Sequence, residues 1–397
     1  MMNTKTADKI SAENISAGAM TSADHARAMT DYMRDGERRA RALDNRGPIK
    51  LDANGKLDPA ILEAYWRHGF YVFENVIGAE ELAELRADVD RVLEGAPSSP
   101  GGQLDSNGRS AAGGAFKRPS YRFAKPLSDP LGGTDINKGR HPVEMLGPTP
   151  PDDAPEWTVS NLAGNLQLMD SALRLYGHPG LLAVAEAVHG ADFVPYNEVT
   201  FIKEPGLGPS VAWHQDGTTH WDAPDWDHGA HGYNSMAQLY PSTPGNGVWV
   251  LPGSHKLGKV DFKKLVAQCG SDRIEGAVPM VCDAGDVFIT NRQLAHGSFA
   301  NSSPDRRVTL NAGIFPRSRI LNVTATKLDN TTVTYDADLV HERSRMIAIG
   351  IDARRQRFPD EASYRYQPLA GEEADNRWNE DTRQTVVKDY NVRDFYI

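Results

Sequence analysis

The stretch Trp213-His214-Gln215-Asp216-Gly217 carries more structural information than any other part of this 397-residue sequence. It closes a short segment with strand composition, and residues two apart in a strand point to the same side. His214 and Asp216 can therefore present an imidazole and a carboxylate together. These are two of the three protein ligands of a facial iron site, which leaves other coordination positions open. A His-x-Asp pair also occurs by chance, as a structural histidine beside a surface acid.

A third candidate ligand, His296, ends a more specific arrangement. Ala284-Gly285-Asp286 predicts a turn, Val287–Thr290 predicts a strand, and His296-Gly297-Ser298 follows. Ten and eleven residues after His296 come Arg306 and Arg307, at the start of another predicted strand. The combination disfavours the simpler interpretation of a loop histidine and a surface arginine.

Short predicted strands separated by Pro/Gly turns dominate the chain from about Phe193 onward. Many short strands with frequent turns favour a barrel or a sandwich. The predicted strands are Val199–Lys203, Ser210–His214, Ser235–Tyr240, Val248–Leu251, Val287–Thr290 and Val308–Phe315. Upstream, apolar residues at helical spacing predict helices. These are Ala60–His68, Ala79–Leu93, Leu168–Leu175 and Leu181–Val188, the first with a start signal at Asp58-Pro59 and a stop at Gly69.

Composition divides the chain into three parts. Residues 1–47 are rich in small and charged residues and predict a weakly ordered arm, with one helix near Ala23–Leu43. Residues 48–317 form the predicted main domain. Within it, residues 95–160 have loop composition, and a stretch of that length without regular structure is usually functional or disordered. Residues 318–397 are polar and predict an irregular extension that packs on the same domain.

Composition and charge disfavour several classes of partner. The net charge is −10, the pI is about 5.7 and no long Lys/Arg block is present, so we expect no nucleic acid partner. No apolar run approaches the roughly 18–20 residues of a membrane span, so we expect no membrane. The two cysteines, Cys269 and Cys282, and the lack of a secretory signal in Met1–Met20 favour a cytoplasmic protein. The expected partner is a small-molecule substrate, and the oligomeric state stays open.

On these residues the chain resembles the phytanoyl-CoA dioxygenase family of Fe(II)- and 2-oxoglutarate-dependent enzymes, over roughly Leu57 to Arg317. The resemblance lies in Trp213–Asp216, in Asn246–Lys256 with its Pro-Gly-Ser-His block, in Gly285–Ser298 and in Arg307. It implies a mainly β fold with flanking helices, a double-stranded β-helix (jelly roll, cupin-like). It also implies that His214, Asp216 and His296 bind Fe(II) at its mouth, with 2-oxoglutarate and O2 as cosubstrates.

The resemblance further implies that Arg307 binds the far carboxylate of 2-oxoglutarate. The keto-acid end of this molecule chelates iron, and a guanidinium can hold the other carboxylate with two parallel hydrogen bonds. Ser298 can add a hydroxyl to the same carboxylate. Lys203 and Thr200, in a preceding strand, are further candidates, although an ordinary strand position is the simpler interpretation of each. The strand pattern alone does not choose between Arg307 and Arg306.

The segment Thr218–Tyr233, directly after the first two ligands, is the predicted substrate loop. It contains three histidines, three aspartates and two tryptophans, and aromatic walls with a few polar groups suit a small-molecule pocket. A rigid aromatic loop and a second metal site are the alternatives. The candidate substrate contacts are His220, Trp221 and His231 in the loop, with Asn197 and Arg292 outside it. A surface ion pair is an equal alternative for Arg292.

We therefore predict hydroxylation of a small polar metabolite, with release of succinate and CO2. Asp216 disfavours halogenation, because halogenases of this superfamily replace that carboxylate with a small residue so that chloride can bind iron. Desaturation, epoxidation and cyclisation use the same iron chemistry and are alternatives. Two other classes stay open: a non-catalytic jelly-roll metal-binding or regulatory protein, and a Zn/Mn cupin-type hydrolase or isomerase.

Overall fold

Strands whose side chains alternate between two environments build the centre of the fold. The computed structural model describes residues 22–217, 221, 226, 231–326 and 331–394, and the elements below belong to that part of the chain. The strands are β1 Arg46–Gly47, β2 Phe70–Phe73, β3 Tyr121–Ala124, β4 Thr158–Ala163, β5 Phe193–Lys203, β6 Val211–His214, β7 Tyr233–Gln238, β8 Trp249–Val250, β9 Val278–Pro279, β10 Val287–Asn291, β11 His296–Ser298, β12 Arg307–Pro316, β13 Thr324–Thr326 and β14 Thr332–Thr334.

Twelve of these strands form two sheets. The large sheet has the order β1-β2-β10-β7-β12-β5-β4-β3, the small sheet has the order β6-β11-β8-β9, and β13 and β14 pair separately. From β5 to β12 the chain moves repeatedly between the two sheets, and the pairings within both sheets along this stretch are antiparallel. This arrangement is a double-stranded β-helix, so the predicted fold class is confirmed.

Helices flank the sheets. They are α1 Ser22–Arg41, α2 Pro59–His68, α3 Ala79–Glu94, α4 Ile136–Gly139, α5 Asn165–Leu168, α6 Asp170–Tyr176, α7 Pro179–His189, α8 Phe262–Cys269, α9 Arg317–Ile320, α10 Ala337–Arg357 and α11 Glu380–Thr382. The predicted start of α2 is confirmed, because the Asp58 carboxylate accepts a hydrogen bond from the Ala60 backbone N–H at 3.0 Å and Pro59 occupies the first turn. Gly69 ends the helix with a φ of 85°, which favours glycine.

The two faces of the large sheet differ in polarity. On the outer face, Ile202, Val308 and Leu310 share one apolar core with residues of α3, α6 and α10. On the inner face, Lys203 and Arg307 line a cavity that also contacts the small sheet. The period-two alternation of the strands thus separates the apolar core from the polar cavity.

The two ends of the chain compare differently with the predictions. Residues 22–41 form a helix, close to the one predicted near Ala23–Leu43, and its Tyr32 ring stacks on Trp249 of the small sheet at 4.4 Å. The C-terminal extension contains the 21-residue helix α10. The buried face of α10 includes Arg343 and Arg354, and apolar periodicity therefore does not reveal it. No helix among the described residues combines the length and the apolar composition needed to cross a bilayer.

Candidate metal centre and cavity

Two neighbouring strands of the small sheet bring three candidate ligands together. His214 ends β6 and His296 starts β11, and the two are direct partners in the antiparallel pairing. Asp216 follows two residues after β6. The His214 Nε2 atom lies 3.6 Å from Asp216 Oδ1, and the His296 Nε2 atom lies 3.9 Å from Asp216 Oδ2. All three side chains are buried, and their ligand atoms lie within 4.8 Å of one another.

Backbone carbonyls fix the orientation of both imidazoles. The Nδ1 atom of His214 lies 2.8 Å from the Ala212 carbonyl oxygen, and that of His296 lies 2.9 Å from the Leu294 carbonyl oxygen. A carbonyl only accepts hydrogen bonds, so each Nδ1 carries the proton and each Nε2 lone pair faces the site. Burial, followed by the neighbouring His214, lowers the pKa of His296 to about 4, which favours the neutral, metal-binding form.

The carboxylate of Asp216 lies among donors and cations. The Asn234 side-chain amide donates to its Oδ2 at 2.5 Å. The Arg140 and Arg292 Nη1 atoms lie 3.8 and 3.9 Å from its two oxygens. Burial alone would raise the pKa of Asp216, but neighbouring positive charge, that of Arg292 foremost, outweighs it and holds that pKa well below its usual range. Asp216 is therefore ionised and oriented before any metal binds.

Gln215, between the two ligands, holds the end of β6 in place. Its amide donates to the carbonyls of Gly258 at 2.8 Å and Gln293 at 2.7 Å, and its Oε1 accepts from the Val260 N–H at 2.8 Å. Gly217, directly after Asp216, has a φ of 115°, and a Cβ there would lie 2.6 Å from the Trp226 ring. Gln215 and Gly217 thus each have a structural reason for their residue type.

The donor set fits Fe(II). Two imidazole nitrogens and one carboxylate form the facial arrangement that non-haem iron oxygenases use, with the remaining positions open. All three ligands line a cavity of about 600 Å³. The site therefore has room beside the metal position for other molecules.

A pair of buried cations, Lys203 and Arg307, lies on the wall of the same cavity. They are direct partners across β5 and β12, so their side chains share the inner face. The Lys203 ammonium donates to the Ser298 hydroxyl and to the Phe299 carbonyl, and Arg307 Nη1 donates to the Asn246 carbonyl at 3.0 Å. The described residues provide no hydrogen-bond partner for Arg307 Nε.

The cation pair has no anionic partner among the described residues. No described carboxylate forms an ion pair with either side chain, although both are 2% exposed. Burial lowers the pKa of Arg307 to about 10, and burial with the Arg307 charge lowers that of Lys203 well below its usual value. Buried charges are costly without compensation, so a carboxylate bound here would stabilise both. The far carboxylate of 2-oxoglutarate meets this requirement.

The structure distinguishes Arg307 from its neighbour Arg306. The Arg306 guanidinium points away from the cavity and pairs with Asp90 at 2.7 Å and Glu204 at 3.1 Å. Thr200 also lies away from the cavity. It is fully buried on the outer face of β5, and its hydroxyl lies 3.0 Å from the Asn165 amide group. The prediction that Thr200 contacts the cosubstrate must therefore be corrected, because Thr200 and Lys203 are three residues apart and face opposite sides of the strand.

The candidate substrate contacts have different locations. Asn197 lines the cavity. His231 is fully buried and stacks on the Trp226 ring at 5.2 Å, and Trp221 meets the same ring edge-on at 5.0 Å, so both belong to an aromatic cluster outside the described cavity wall. Arg292 is buried behind Asp216, where its Nη1 donates to Asn234 Oδ1 at 2.6 Å. The surface ion pair considered for Arg292 is thus not observed. His220 lies outside the described residues.

Sequence analysis missed four polar residues that surround the metal ligands or line the cavity. Arg140 and His141 come from the long segment 95–160, and the His141 ring lies 4.2 Å from the His214 ring. Asn234 and Asn311 come from strands of the large sheet. Only the unusual length of segment 95–160 pointed to Arg140 and His141. The alternation of side chains along β7 and β12, which turns Asn234 and Asn311 toward the cavity, could have identified the two asparagines.

Comparisons with known proteins agree with the site. A sequence model of the phytanoyl-CoA dioxygenase (PhyH) family matches residues 65–309. Phytanoyl-CoA dioxygenase 1 of Oryza sativa subsp. japonica is 24% identical over 277 residues, which cover 64% of this chain and 88% of that protein.

Two solved structures are also similar. One is EctD from S. alaskensis with 2-oxoglutarate and 5-hydroxyectoine, at 18% identity over 75% of this chain and 84% of that chain, with a TM-score of 0.47. The other is the non-heme alpha ketoglutarate dependent epimerase SnoN from nogalamycin biosynthesis, at 18% identity over 65% and 84% of the two chains, with a TM-score of 0.42. Because the family match spans more than half of the sequence, the chain belongs to the phytanoyl-CoA dioxygenase family of Fe(II)- and 2-oxoglutarate-dependent oxygenases.

Proposed function

We propose that this oxygenase hydroxylates a small polar metabolite. One oxygen atom of O2 enters a C–H bond of the substrate, and the other enters succinate as 2-oxoglutarate loses CO2. The observation that carries the proposal is the position of the cation pair, Lys203 and Arg307, on the same cavity as the triad His214, Asp216 and His296. One cavity can hold the metal, the cosubstrate and a substrate side by side.

The protein's part in this reaction is binding and orientation. His214, Asp216 and His296 would hold Fe(II), which supplies the activation of O2. The Nη1 atom of Arg307 is fixed by the Asn246 carbonyl, which leaves the Nε edge of the guanidinium available for the far carboxylate of 2-oxoglutarate. Lys203 lies beside it, and the one ammonium hydrogen that is not donated to Ser298 or Phe299 can add a further donor. The Ser298 hydroxyl already donates to the Gly247 carbonyl at 3.2 Å, so its part is to hold Lys203 in place.

The cavity favours a small substrate with polar groups. Its volume of about 600 Å³ lies within the usual range for small-molecule sites, about 300–1,000 Å³. Its wall combines apolar side chains, such as Phe123 and Phe201, with the buried amides of Asn197 and Asn311. A plain hydrocarbon chain would leave these amides without hydrogen bonds, at a cost of about 1–3 kcal/mol for each unsatisfied group.

The ligand set favours transfer of oxygen over transfer of halide. Asp216 occupies the third ligand position, its carboxylate is ionised, and Asn234 holds it in place. A halide would need that position on the metal. Desaturation and cyclisation start from the same site and differ only in the fate of the substrate, so product analysis distinguishes them from hydroxylation.

The cosubstrate assignment has a direct test. Replacing Arg307 with Ala should raise the KM for 2-oxoglutarate about a hundredfold, because two charge-assisted hydrogen bonds worth about 1.5 kcal/mol each are lost. Succinate formation gives the KM, and metal analysis should show that the variant still binds Fe(II). Arg306→Ala is the matched control, since Arg306 pairs with Asp90 and Glu204 outside the cavity.

Two results would reject the proposal. In the first, Arg307→Ala has the same KM as the wild type. In the second, wild-type protein with Fe(II) never converts 2-oxoglutarate to succinate, with any small metabolite tested. The second result would favour a non-catalytic metal-binding role for this fold.

A further inference from the structure

The side-chain amides of Asn197 and Asn311 share an unusual state. Both line the cavity, and their residues are only 3% and 2% exposed. The Oδ1 atom of each is buried and has no hydrogen-bond partner among the residues that the structure describes. A buried amide without partners costs about 1–3 kcal/mol, so native proteins rarely keep one without a reason.

Other asparagines of the same cavity wall have protein partners. Asn234 donates to Asp216 and accepts from Arg292, at 2.5 and 2.6 Å. The Asn161 Oδ1 atom accepts from the Ser160 hydroxyl at 2.9 Å. Among the four described asparagines of this cavity wall, the lack of a partner is therefore specific to Asn197 and Asn311.

Strand geometry places the two amides away from the cation pair. Asn311 lies on β12 four residues after Arg307, on the same face, which separates the two Cα atoms by about 13 Å. The Asn197 Oδ1 atom lies 2.7 Å from the position that a Cβ on Gly313 would take. Gly313 is the strand partner of Asn234, which holds Asp216. The amides thus lie toward the Asp216 side of the metal site, beyond the carboxylate end of 2-oxoglutarate.

We propose that Asn197 and Asn311 together bind an uncharged substrate group that both donates and accepts hydrogen bonds, such as a carboxamide or a lactam. This proposal rests on the proposed function and specifies its substrate class. Each asparagine amide offers one acceptor and one donor group, whichever way the amide is turned. A substrate carboxylate would leave both Oδ1 atoms without a donor, and an ammonium group would leave both Nδ2 atoms without an acceptor.

Three probes of one shape test the charge and hydrogen bonding of the bound group. They are cyclohexanecarboxamide, cyclohexanecarboxylate and cyclohexylmethylammonium, titrated calorimetrically into the anaerobic protein with Fe(II) and 2-oxoglutarate. The visible charge-transfer band of the Fe(II)·2-oxoglutarate complex reports that the site is assembled. We expect the carboxamide to bind at least about tenfold more tightly than either ion, because only it satisfies both kinds of group.

Variants then locate the binding site. Asn197→Ala and Asn311→Ala should each weaken carboxamide binding about tenfold, as expected for the loss of hydrogen bonds to a buried polar group. Gly313→Ala should weaken it in the same direction without removing a polar group, since the new methyl displaces the Asn197 amide. Asn161→Ala is the matched control, because that amide already has a partner in Ser160, and we expect a change below about twofold.

The outcomes separate this proposal from the proposed function. It is overturned if the wild type does not bind the carboxamide, if either ion binds as tightly, or if Asn197→Ala and Asn311→Ala behave like Asn161→Ala. Failure of the proposed function looks different. In that case the wild type forms no succinate from 2-oxoglutarate and O2 with any small metabolite tested, whatever the binding heats of the three probes show.

Discussion

Two buried carboxylates of this protein have similar neighbours, yet their pKa values are shifted in opposite directions. Asp216 lies 3.8 Å from Arg140 and 3.9 Å from Arg292, and Asp394, near the C terminus, also lies between two arginines. Burial acts on both acids. The pKa of Asp216 is nevertheless held well below its usual range, whereas that of Asp394 is raised to about 7.

Hydrogen bonds and competing acids explain the difference. Asp394 lies 3.4 Å from Arg343 and 4.0 Å from Arg118, but its Oδ1 atom accepts no hydrogen bond from the described residues. Glu198 lies 3.3 Å from the same Arg343, so two acids share one guanidinium. Burial raises the pKa of Asp394, Arg343 lowers it and Glu198 raises it again. Nearby arginines alone therefore do not prepare a carboxylate to bind metal.

The two acids thus have different tasks. Asp216 accepts a hydrogen bond from Asn234 and lies beside the imidazoles of His214 and His296, so the three side chains are placed to bind a cation together. Asp394 joins the C-terminal segment to Arg118, which lines the cavity and donates to the Asn391 carbonyl at 2.8 Å. Asp216 is placed to bind the metal, whereas Asp394 attaches the C-terminal segment to the cavity wall.

Neutralising each acid in turn should give the largest contrast. Asp216→Asn removes a charged ligand, and if a four-ligand structural zinc site, at about 10–16 kcal/mol in total, sets the scale, one ligand is worth about 2.5–4 kcal/mol. We expect the affinity for Fe(II) to fall on the order of a hundredfold or more, and succinate formation to fall to background. Asp394→Asn should leave the affinity for Fe(II) unchanged. Anaerobic iron titration of both variants provides the measurement.

Equal behaviour of the two variants would refute the distinction. If both lose iron, the C-terminal cluster supports the metal site directly. If neither does, Asp216 is not a ligand. Unfolding curves of both variants show whether a loss of iron reflects a loss of fold.

Removing one hydrogen-bond donor near each acid should give a smaller contrast. Asn234→Ala removes the hydrogen bond to Asp216, and loss of such a second contact typically costs 10- to 100-fold in metal affinity, about 1.4–2.7 kcal/mol. Tyr390→Phe removes the hydroxyl that donates to Glu198. It should lower the free energy of unfolding by about 1–3 kcal/mol and leave iron binding intact. Iron titration and urea unfolding of both proteins test this, and a swap of the two phenotypes would contradict it.

The same comparison shows what sequence could and could not predict. His214, Asp216 and His296 lie in short motifs on neighbouring strands, so strand parity and family resemblance identified them. Arg140 comes from a segment without periodicity, and only the folded chain brings it to Asp216. No local pattern marks a contact between residues so far apart in sequence.

Two further errors have physical causes. Thr200 and Lys203 are three residues apart in one strand, so their side chains face opposite sides. The prediction for Thr200 overlooked this alternation. Helix α10 was missed because it buries Arg343 and Arg354, which pair with Glu198 and with Glu81 at 2.6 Å. Apolar spacing predicts that a helix face with charged residues is exposed, even where ion pairs allow that face to be buried.

The smallest expected effect is a change in the pH dependence of stability. The pKa of Asp394 is about 7 in the folded protein and 3.8 at its ordinary value, so between these pH values the folded state binds more protons than the unfolded state. The stability that this proton contributes is complete below about pH 4 and is lost as the pH rises through about 7. The slope is at most about 1.4 kcal/mol per pH unit.

Asp394→Asn should remove this part of the slope, because asparagine does not titrate. Urea unfolding at several pH values from 5 to 8 should therefore show the variant gaining stability relative to the wild type as the pH rises to 7. Asp88→Asn is the control. Burial raises the pKa of Asp88, but hydrogen bonds from Arg91 and Ser171 hold it below its usual value, so Asp88 is ionised in both states throughout this range. If Asp394→Asn keeps the wild-type slope, Asp394 is ionised in the folded protein, and the two carboxylates are alike after all.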